Sequence, residues 1–151
     1  MKQALFLYNP QSGKGKIEKD SQAIGEMFRQ AGYSIVDGPI DFSRNPFNGH
    51  ETVDLVVVAG GDGTVNEVAN GIAGFPNAAM TCIPIGTGND FLKNFGKDAE
   101  PLFLDAENLW NGDVTPLDLI DCNGKYCLTI ACSGIDARIA ESVHKFSANP
   151  H

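Results

Sequence analysis

Residues Asp54–Ala59 read Asp-Leu-Val-Val-Val-Ala and run directly into Gly60-Gly61-Asp62-Gly63-Thr64. An apolar run without alternation is the mark of a strand covered on both faces, as in a parallel sheet. After the glycines the period changes: Val65, Val68, Ala69, Ile72 and Ala73 fall at i, i+3, i+4, i+7 and i+8, one face of a helix. The same unit occurs twice more. Ala4–Tyr8 leads into the polar loop Asn9–Lys16, after which Ile24, Met27, Phe28 and Ala31 share a helical face that Gly32 closes. Met80–Ile85 leads into Gly86-Thr87-Gly88-Asn89-Asp90, with Phe91, Leu92 and Phe95 forming a short helix. Three such units predict an α/β fold, an open and mostly parallel sheet with flanking helices and glycine-rich loops at the carboxyl ends of the strands.

The remaining segments fill in that frame. Tyr33–Ile40 reads as a further strand, and Asp41–Thr52, rich in Asn, Pro, Gly and Ser, as a loop. Pro101–Trp110 is expected to be one helix ending near Gly112. Val114–Cys122 and Lys125–Cys132 flank Asn123-Gly124, a strong hairpin signal, so an antiparallel pair is expected near the C-terminus. Another amphipathic stretch begins over Asp136–Lys145.

Composition removes several function classes. With 11 Lys+Arg against 19 Asp+Glu the net charge is −8, the opposite of the basic excess that binding a phosphate backbone requires. No nucleic-acid partner is expected. Apolar runs are about five residues long, against the ~20 that span a bilayer, and Met1-Lys2 passes straight into a strand with no export signal. A soluble, cytoplasmic protein is the expectation. Cys82, Cys122, Cys127 and Cys132 match neither a zinc pair nor a redox motif, and each lies in an apolar run, so buried free thiols are expected.

In open α/β sheets, ligands bind beyond the carboxyl ends of the strands, where glycines let backbone amides approach a phosphate and a helix presents its positive end. Gly13-Lys14-Gly15-Lys16 lacks the spacing of a P-loop, and the first loop has no GxGxxG. The second and third loops each set an aspartate, Asp62 and Asp90, among bare amides. Such a carboxylate repels a phosphate unless a cation intervenes, which points to Mg²⁺ held by few carboxylates and by the phosphates themselves. Helix N-capping by Asp62 and Asp90 is the structural alternative. Likewise Lys14, Lys16 and Lys19 form a positive cluster that also suits a solvated face.

Asn9-Pro10-Gln11-Ser12-Gly13, Gly60 through Val68, and Pro84-Ile85-Gly86-Thr87-Gly88-Asn89-Asp90-Phe91 together resemble the catalytic domain of the bacterial diacylglycerol kinase-like lipid kinases, relatives of the sphingosine kinases. Pro116-Leu117-Asp118-Leu119, the Asn123-Gly124 turn, Tyr126-Cys127-Leu128 and Ser133 through Ala137 continue the likeness to about residue 140. The resemblance implies that Asn9, Ser12 and Gly13, with Pro10 and Gln11 in the same loop, contact nucleotide phosphates. It implies the same of Gly60, Gly61, Asp62, Gly63, Thr64, Val65, Asn66 and Glu67, and of Thr87. It makes Lys14 the residue that neutralises phosphate charge, and assigns Asp62, Asp90 and Asp118 to a Mg²⁺–water network at the reacting end. For Asp118 the likeness is the sole support; the residue itself reads as a polar position in a strand.

The implied activity is transfer of the ATP γ-phosphate to the hydroxyl of a diacylglycerol-like lipid, in phospholipid biosynthesis, with ATP and Mg²⁺ as cofactors. A membrane-derived lipid alcohol is then a partner, and transient contact with the inner membrane face, made through a second domain, follows. The family also implies a chain about twice this length, whose mostly β second domain supplies the catalytic base and part of the lipid cleft. Residues 1–140 are accordingly expected to form the nucleotide-binding domain and residues 141–151 the start of a linker, with self-association favoured by any face that an absent domain leaves bare. Family members carry a helix and a Thr contact after the second strand; here only Asp41–Thr52 is available, with Asp41 or Ser43 as substitutes. Two rivals stand beside this reading. One is a small-molecule kinase of the wider Gly-Gly-Asp-Gly superfamily, against which Val65-Asn66-Glu67-Val68 argues; the other is a non-catalytic nucleotide-binding module or truncated regulator.

Overall fold

The computed structural model describes residues 1–75, 77–139 and 142, and of residues 14–16 the backbone alone. Four strands, β1 (Lys2–Tyr8), β2 (Tyr33–Pro39), β3 (Leu55–Gly60) and β4 (Ala79–Pro84), form one sheet in the order β2-β1-β3-β4 with every neighbouring pair parallel. Helix α1 (Lys16–Gln30) carries the crossover from β1 to β2, and α2 (Asp62–Ile72) that from β3 to β4. The chain leaves β1 towards one edge and returns across it to β3, so the strand order reverses between β1 and β3. A crevice opens at such a point.

Both faces of the central strands are covered, which is why Leu55–Gly60 shows no alternation. Leu5, Leu7, Val56 and Val58 pack with Val65 and Val68 of α2, whereas Ala4, Phe6, Tyr8 and Val57 pack with Ile17 and Phe28 of α1. On α1 the buried face runs through Ile17, Ser21 and Phe28; Met27, expected on it, is 37% exposed. Gly32 ends that helix at φ +89°, a conformation that favours glycine. Phe28 anchors the second layer through edge-on contacts with Tyr33 and Trp110.

The expected open, mostly parallel sheet is therefore present, with several local corrections. The single helix over Pro101–Trp110 is two short ones, α3 (Glu100–Leu104) and α4 (Asn108–Asn111). Asp105, at ψ 115°, has left the helical region, and its Oδ1 accepts the Glu107 N–H at 3.0 Å, a local bond that competes with helix continuation. The short helix expected to carry Phe91, Leu92 and Phe95 is present as a 3-10 turn over residues 90–95.

The hairpin about Asn123-Gly124 is present, with φ of +57° and +85° at its two turn residues. Its strands, β5 (Ile120–Cys122) and β6 (Lys125–Cys127), are far shorter than expected. Residues 113–119 belong to no strand, and Pro116 lacks the donor that a continuing ladder needs. Asp118 therefore lies outside any strand and is exposed. The buried-thiol expectation holds for Cys82 alone: Cys122 and Cys132 are exposed and Cys127 is half-buried, since the short hairpin has one bare face. All four are free. Of the stretch Asp136–Lys145, residues 136–139 and Ser142 are helical; its remainder, and the linker expected over 141–151, fall outside the described residues apart from Ser142. Among the described residues no helix is long and apolar enough to cross a membrane.

Candidate nucleotide-binding site

The loops that follow β1, β3 and β4 meet at the carboxyl end of the sheet. Asn9 opens the first: its backbone N–H donates to Ala59 O at 3.1 Å, and its Oδ1 accepts the Gln11 N–H at 3.0 Å. The Asn9 Nδ2 reaches across to Thr64 Oγ1 at 3.2 Å, joining the first loop to the second. Thr64 is buried, and its side chain stands where a Cβ on Gly60 would come within 2.6 Å. Glycine is thus required at position 60 by packing alone.

The second and third loops touch through backbone. A Cβ on Gly86 would fall 2.6 Å from Gly61 Cα, and the Ile85 N–H donates to Gly60 O at 3.2 Å. Gly13, at φ +59°, closes the triangle: a Cβ there would lie 2.4 Å from Ile85 Cγ2. Three loops separated in sequence are packed against one another at their glycines.

Asp62 is the first residue of α2, and Gly61 caps that helix with no side-chain bond. The capping alternative is therefore wrong for Asp62 on its own helix. Its Oδ1 instead accepts the Phe91 N–H at 3.1 Å, capping the 3-10 turn that follows β4. Asp90 does not cap that turn either; its Oδ1 pairs with Lys93 Nζ. Asp90, then Asp62, raise the Lys93 pKa above its ordinary value. Burial pushes the Cys82 thiol up to about 12, with the Asp62 charge adding to the effect. Both carboxylates face Gly88, where a Cβ would stand 2.9 Å from Asp62 Oδ2 and 3.9 Å from Asp90 Oδ2. A cavity of about 10 Å³ behind them, lined by Gly61, Asp62, Cys82 and Phe91 among others, has room for no more than a water.

The other expected residues divide. Pro10, Ser12 and Gly13 are partly exposed, and Gln11, Gly63 and Thr87 exposed, around this junction. Val65 is buried in the core and Glu67 exposed on α2, while the Asn66 side chain turns to the hairpin, its Oδ1 accepting the Leu128 N–H at 3.0 Å. The side chain of Lys14 lies outside the described atoms. Among the described residues no group of three or more His, Cys, Asp or Glu side chains is arranged to hold a metal, so Asp118 does not complete a cluster with Asp62 and Asp90. Along the β2 edge, where the β2–β3 crossover has turns in place of a helix, lies a hollow of about 240 Å³ rimmed by Val36, Asp37, Asp41, Arg44 and His50. Ser43 holds Asp41 below the usual carboxylate range through its hydroxyl and its backbone N–H, with Arg44 adding to this.

The sequence profile of the Diacylglycerol kinase catalytic domain matches residues 3–122 of this chain. The chain belongs to that family. A Diacylglycerol kinase of Bacillus subtilis (strain 168) is 35% identical over 140 residues, covering 89% of this chain and 46% of the relative. One from Staphylococcus aureus (strain MRSA252) is 34% identical over 143 residues, covering 88% and 44%. The crystal structure of a diacylglycerol kinase from Bacillus anthracis str. Sterne superposes with a TM-score of 0.61 at 28% identity, over 83% of this chain and 49% of that one. The chain thus spans about half the length of the relatives it matches. Membership accounts for the order of the three loops. The links between them, Asn9 to Thr64 and Asp62 to the Phe91 amide, carry no sequence signal, and neither does Lys93.

Proposed function

We propose that this chain is the nucleotide-binding part of an ATP-dependent lipid kinase that passes the γ-phosphate to the hydroxyl of a diacylglycerol-like lipid. The observation that carries this reading is the convergence of three glycine-rich loops, two bearing an aspartate, where the strand order reverses in a diacylglycerol kinase catalytic domain. Phosphoryl transfer demands positioning and charge neutralisation more than covalent chemistry by the protein. The amides of Asp62, Gly63 and Thr64 precede the first helical bond of α2, from Val65 N–H to Gly61 O, and so are offered to phosphate oxygens at the positive end of the helix. Asn9, Ser12 and Gly13 flank them from the first loop, with Lys14 as the neutralising cation.

Asp62 and Asp90 are the residues that would hold Mg²⁺. Two hard carboxylates facing one glycine suit an ion that keeps its other positions for phosphate and water, and such an ion needs no cage of three protein ligands. Bound there, it would supply charge neutralisation at the transferred phosphoryl group. Asp118 is assigned to the same network on family likeness alone. Residues 1–140 would form the nucleotide-binding unit, working at the cytoplasmic membrane face where its lipid resides.

Titration calorimetry of the chain with MgADP, and a lipid panel incubated with Mg[γ-³²P]ATP, test the proposal. We expect nucleotide binding that is lost with EDTA. If a second domain supplies the catalytic base, lipid turnover by residues 1–151 alone should fall about 10²–10⁴-fold below that of a twice-longer relative. Absence of nucleotide binding would overturn the reading. Binding without phosphorylation of any lipid, by this chain or by the product of its whole reading frame, would favour a nucleotide-binding module.

A further inference from the structure

Two asparagines on one face of α2 treat the hairpin as a neighbouring strand would. The Asn70 amide exchanges two bonds with a single residue: the Tyr126 N–H donates to Asn70 Oδ1 at 2.7 Å, and Asn70 Nδ2 donates to Tyr126 O at 2.7 Å. One turn earlier, Asn66 Oδ1 accepts the Leu128 N–H at 3.0 Å, while Asn66 Nδ2 lies 3.4 Å from Tyr126 O. Asn70 Nδ2 also donates to Asn66 O at 2.9 Å. Spacing explains the match. Four helical residues advance about 6 Å, close to the roughly 6.7 Å between alternate residues of a strand. Tyr126 stands opposite Asp121 one position from the Cys122–Lys125 pair that closes the two-residue turn, so its backbone polar groups face away from β5. They would otherwise form a bare edge on a two-stranded ribbon, which is marginal alone.

We propose that Asn66 and Asn70 are positioning residues that replace a third strand, fixing the β5–β6 hairpin to α2 and thereby the segment that carries Asp118. The chain of contacts is short. Asp118 lies two residues before Ile120, Ile120 pairs with Cys127, and Cys127 sits between the two clamped residues. Asp62, at the start of α2, and Asp118 are in this way referred to one helix. Asn66 then does not contact nucleotide, although it stands in the loop-helix motif. The part concerning Asp118 rests on the lipid kinase reading; the clamp itself does not.

The chemistry separates three substitutions. An aspartate at 66 keeps the acceptor for the Leu128 N–H. An aspartate at 70 keeps the acceptor but sets an anion against the Tyr126 carbonyl; once protonated, a carboxylic acid again offers one donor and one acceptor. Amide hydrogen exchange at Tyr126 and Leu128, expressed as protection factors, reads this directly. We expect Asn66→Asp to stay within about twofold of wild type, and Asn66→Ala to lose on the order of tenfold protection at Leu128. Asn70→Asp should lose on the order of tenfold at Tyr126 at pH 7.5 and recover as pH falls through the introduced carboxyl's pKa. The sign follows because the folded state favours the protonated form, whose contribution is lost as pH rises. Glu67 of α2 and Asp121, Lys125, Tyr126 and Cys127 of the hairpin are the native ionisable groups on the two elements, so wild type at the same pH values is the reference. Unchanged protection in Asn70→Asp, or loss with no recovery at low pH, would overturn the clamp.

MgADP affinity within about twofold of wild type in Asn66→Ala is expected; a loss of tenfold or more would make Asn66 a nucleotide ligand and overturn its assignment as a positioning residue. In the product of the whole reading frame, Asn70→Asp should lower turnover with the KM for ATP unchanged. Full turnover with protection lost would overturn the link to Asp118. A wild-type protein that binds no nucleotide and phosphorylates no lipid would instead remove the lipid kinase reading and with it that link, while the exchange measurements still decide the clamp.

Discussion

The Asp62 carboxylate accepts the backbone N–H of Phe91 at 3.1 Å across 29 positions of chain, so the aspartate of the second loop holds the third. One oxygen serves the fold, and the other faces Gly88. Asp62→Asn keeps an oxygen for the Phe91 amide, so its midpoint of denaturation should change little. Asp62→Ala leaves that amide without its partner at a part-buried position, at a cost of about 1 kcal/mol. Both should abolish Mg²⁺-dependent nucleotide binding. Urea titration beside calorimetry checks the pair, and an Asp62→Asn protein that binds MgADP like wild type would remove Asp62 from the site.

The glycines of the site differ in what they are for. A Cβ on Gly86 would meet the Gly61 backbone at 2.6 Å, which no rotamer can relieve, so Gly86→Ala should destabilise by about 1–3 kcal/mol and push the second and third loops apart. Gly63 has nothing within 4 Å of its absent side chain and lies within α2. Gly63→Ala should therefore stabilise the chain by about 0.5–1 kcal/mol and still weaken nucleotide binding, because on the proposed reading a phosphate would approach the amide through that open space. Thermal unfolding with and without MgADP separates the two effects.

How much of this was legible in the sequence depends on the range of the interaction. Leu55–Gly60 and its successor helix announce themselves through period, and Asn123-Gly124 through turn chemistry, because both signals are local. The break at Asp105 is a side chain competing with a helix, and the periodicity of Pro101–Trp110 does not register it. That Asp62 would cap a turn beginning 28 residues later, or that Asn70 would pair with Tyr126, depends on which elements the fold brings together. Asp90 stood out in the sequence as a candidate because it sits among glycines, its partner Lys93 did not, and the placement of Asp118 two residues before a three-residue strand contradicts the longer strand expected for it.

The thiols should report their surroundings. Cys82, 2% exposed, has its pKa pushed from 9.0 up to about 12, so it should resist iodoacetamide at pH 8 in the folded chain. Cys122 and Cys132 should react first, and Cys127, whose Sγ donates to Ile130 O at 2.8 Å, more slowly. The neutral Cys82 thiol contributes stability below the unfolded value near 9.0 that is lost as pH rises towards about 12, so urea midpoints should fall across that alkaline window. Peptide mapping after timed alkylation checks the order; early labelling of Cys82 would contradict it. No disulfide should link Cys122 to Cys127, since Cys122 faces Lys125 and Cys127 faces Ile120.

Lys93 occupies the place of a counter-ion. Its ammonium pairs with Asp90 and also feels Asp62, the two carboxylates assigned to the divalent ion. Its raised pKa means that the pair contributes below the ordinary lysine range and that this contribution is lost as pH rises through the folded value. An ammonium and a Mg²⁺ ion compete for the same oxygens, and the lysine side chain, 74% exposed, is free to swing away. Its hold on Asp90 is therefore weak, as for exposed pairs in general. Lys93→Met should strengthen Mg²⁺-dependent ADP binding a few-fold at low salt, with the gain shrinking at high salt as screening weakens the competing pair. Were Lys93 instead a direct phosphate ligand, the same substitution would weaken ADP binding, and would do so with or without Mg²⁺. Calorimetric titrations at two salt concentrations, each with Mg²⁺ and with EDTA, distinguish these outcomes, and weaker binding in all four would make Lys93 part of the nucleotide site.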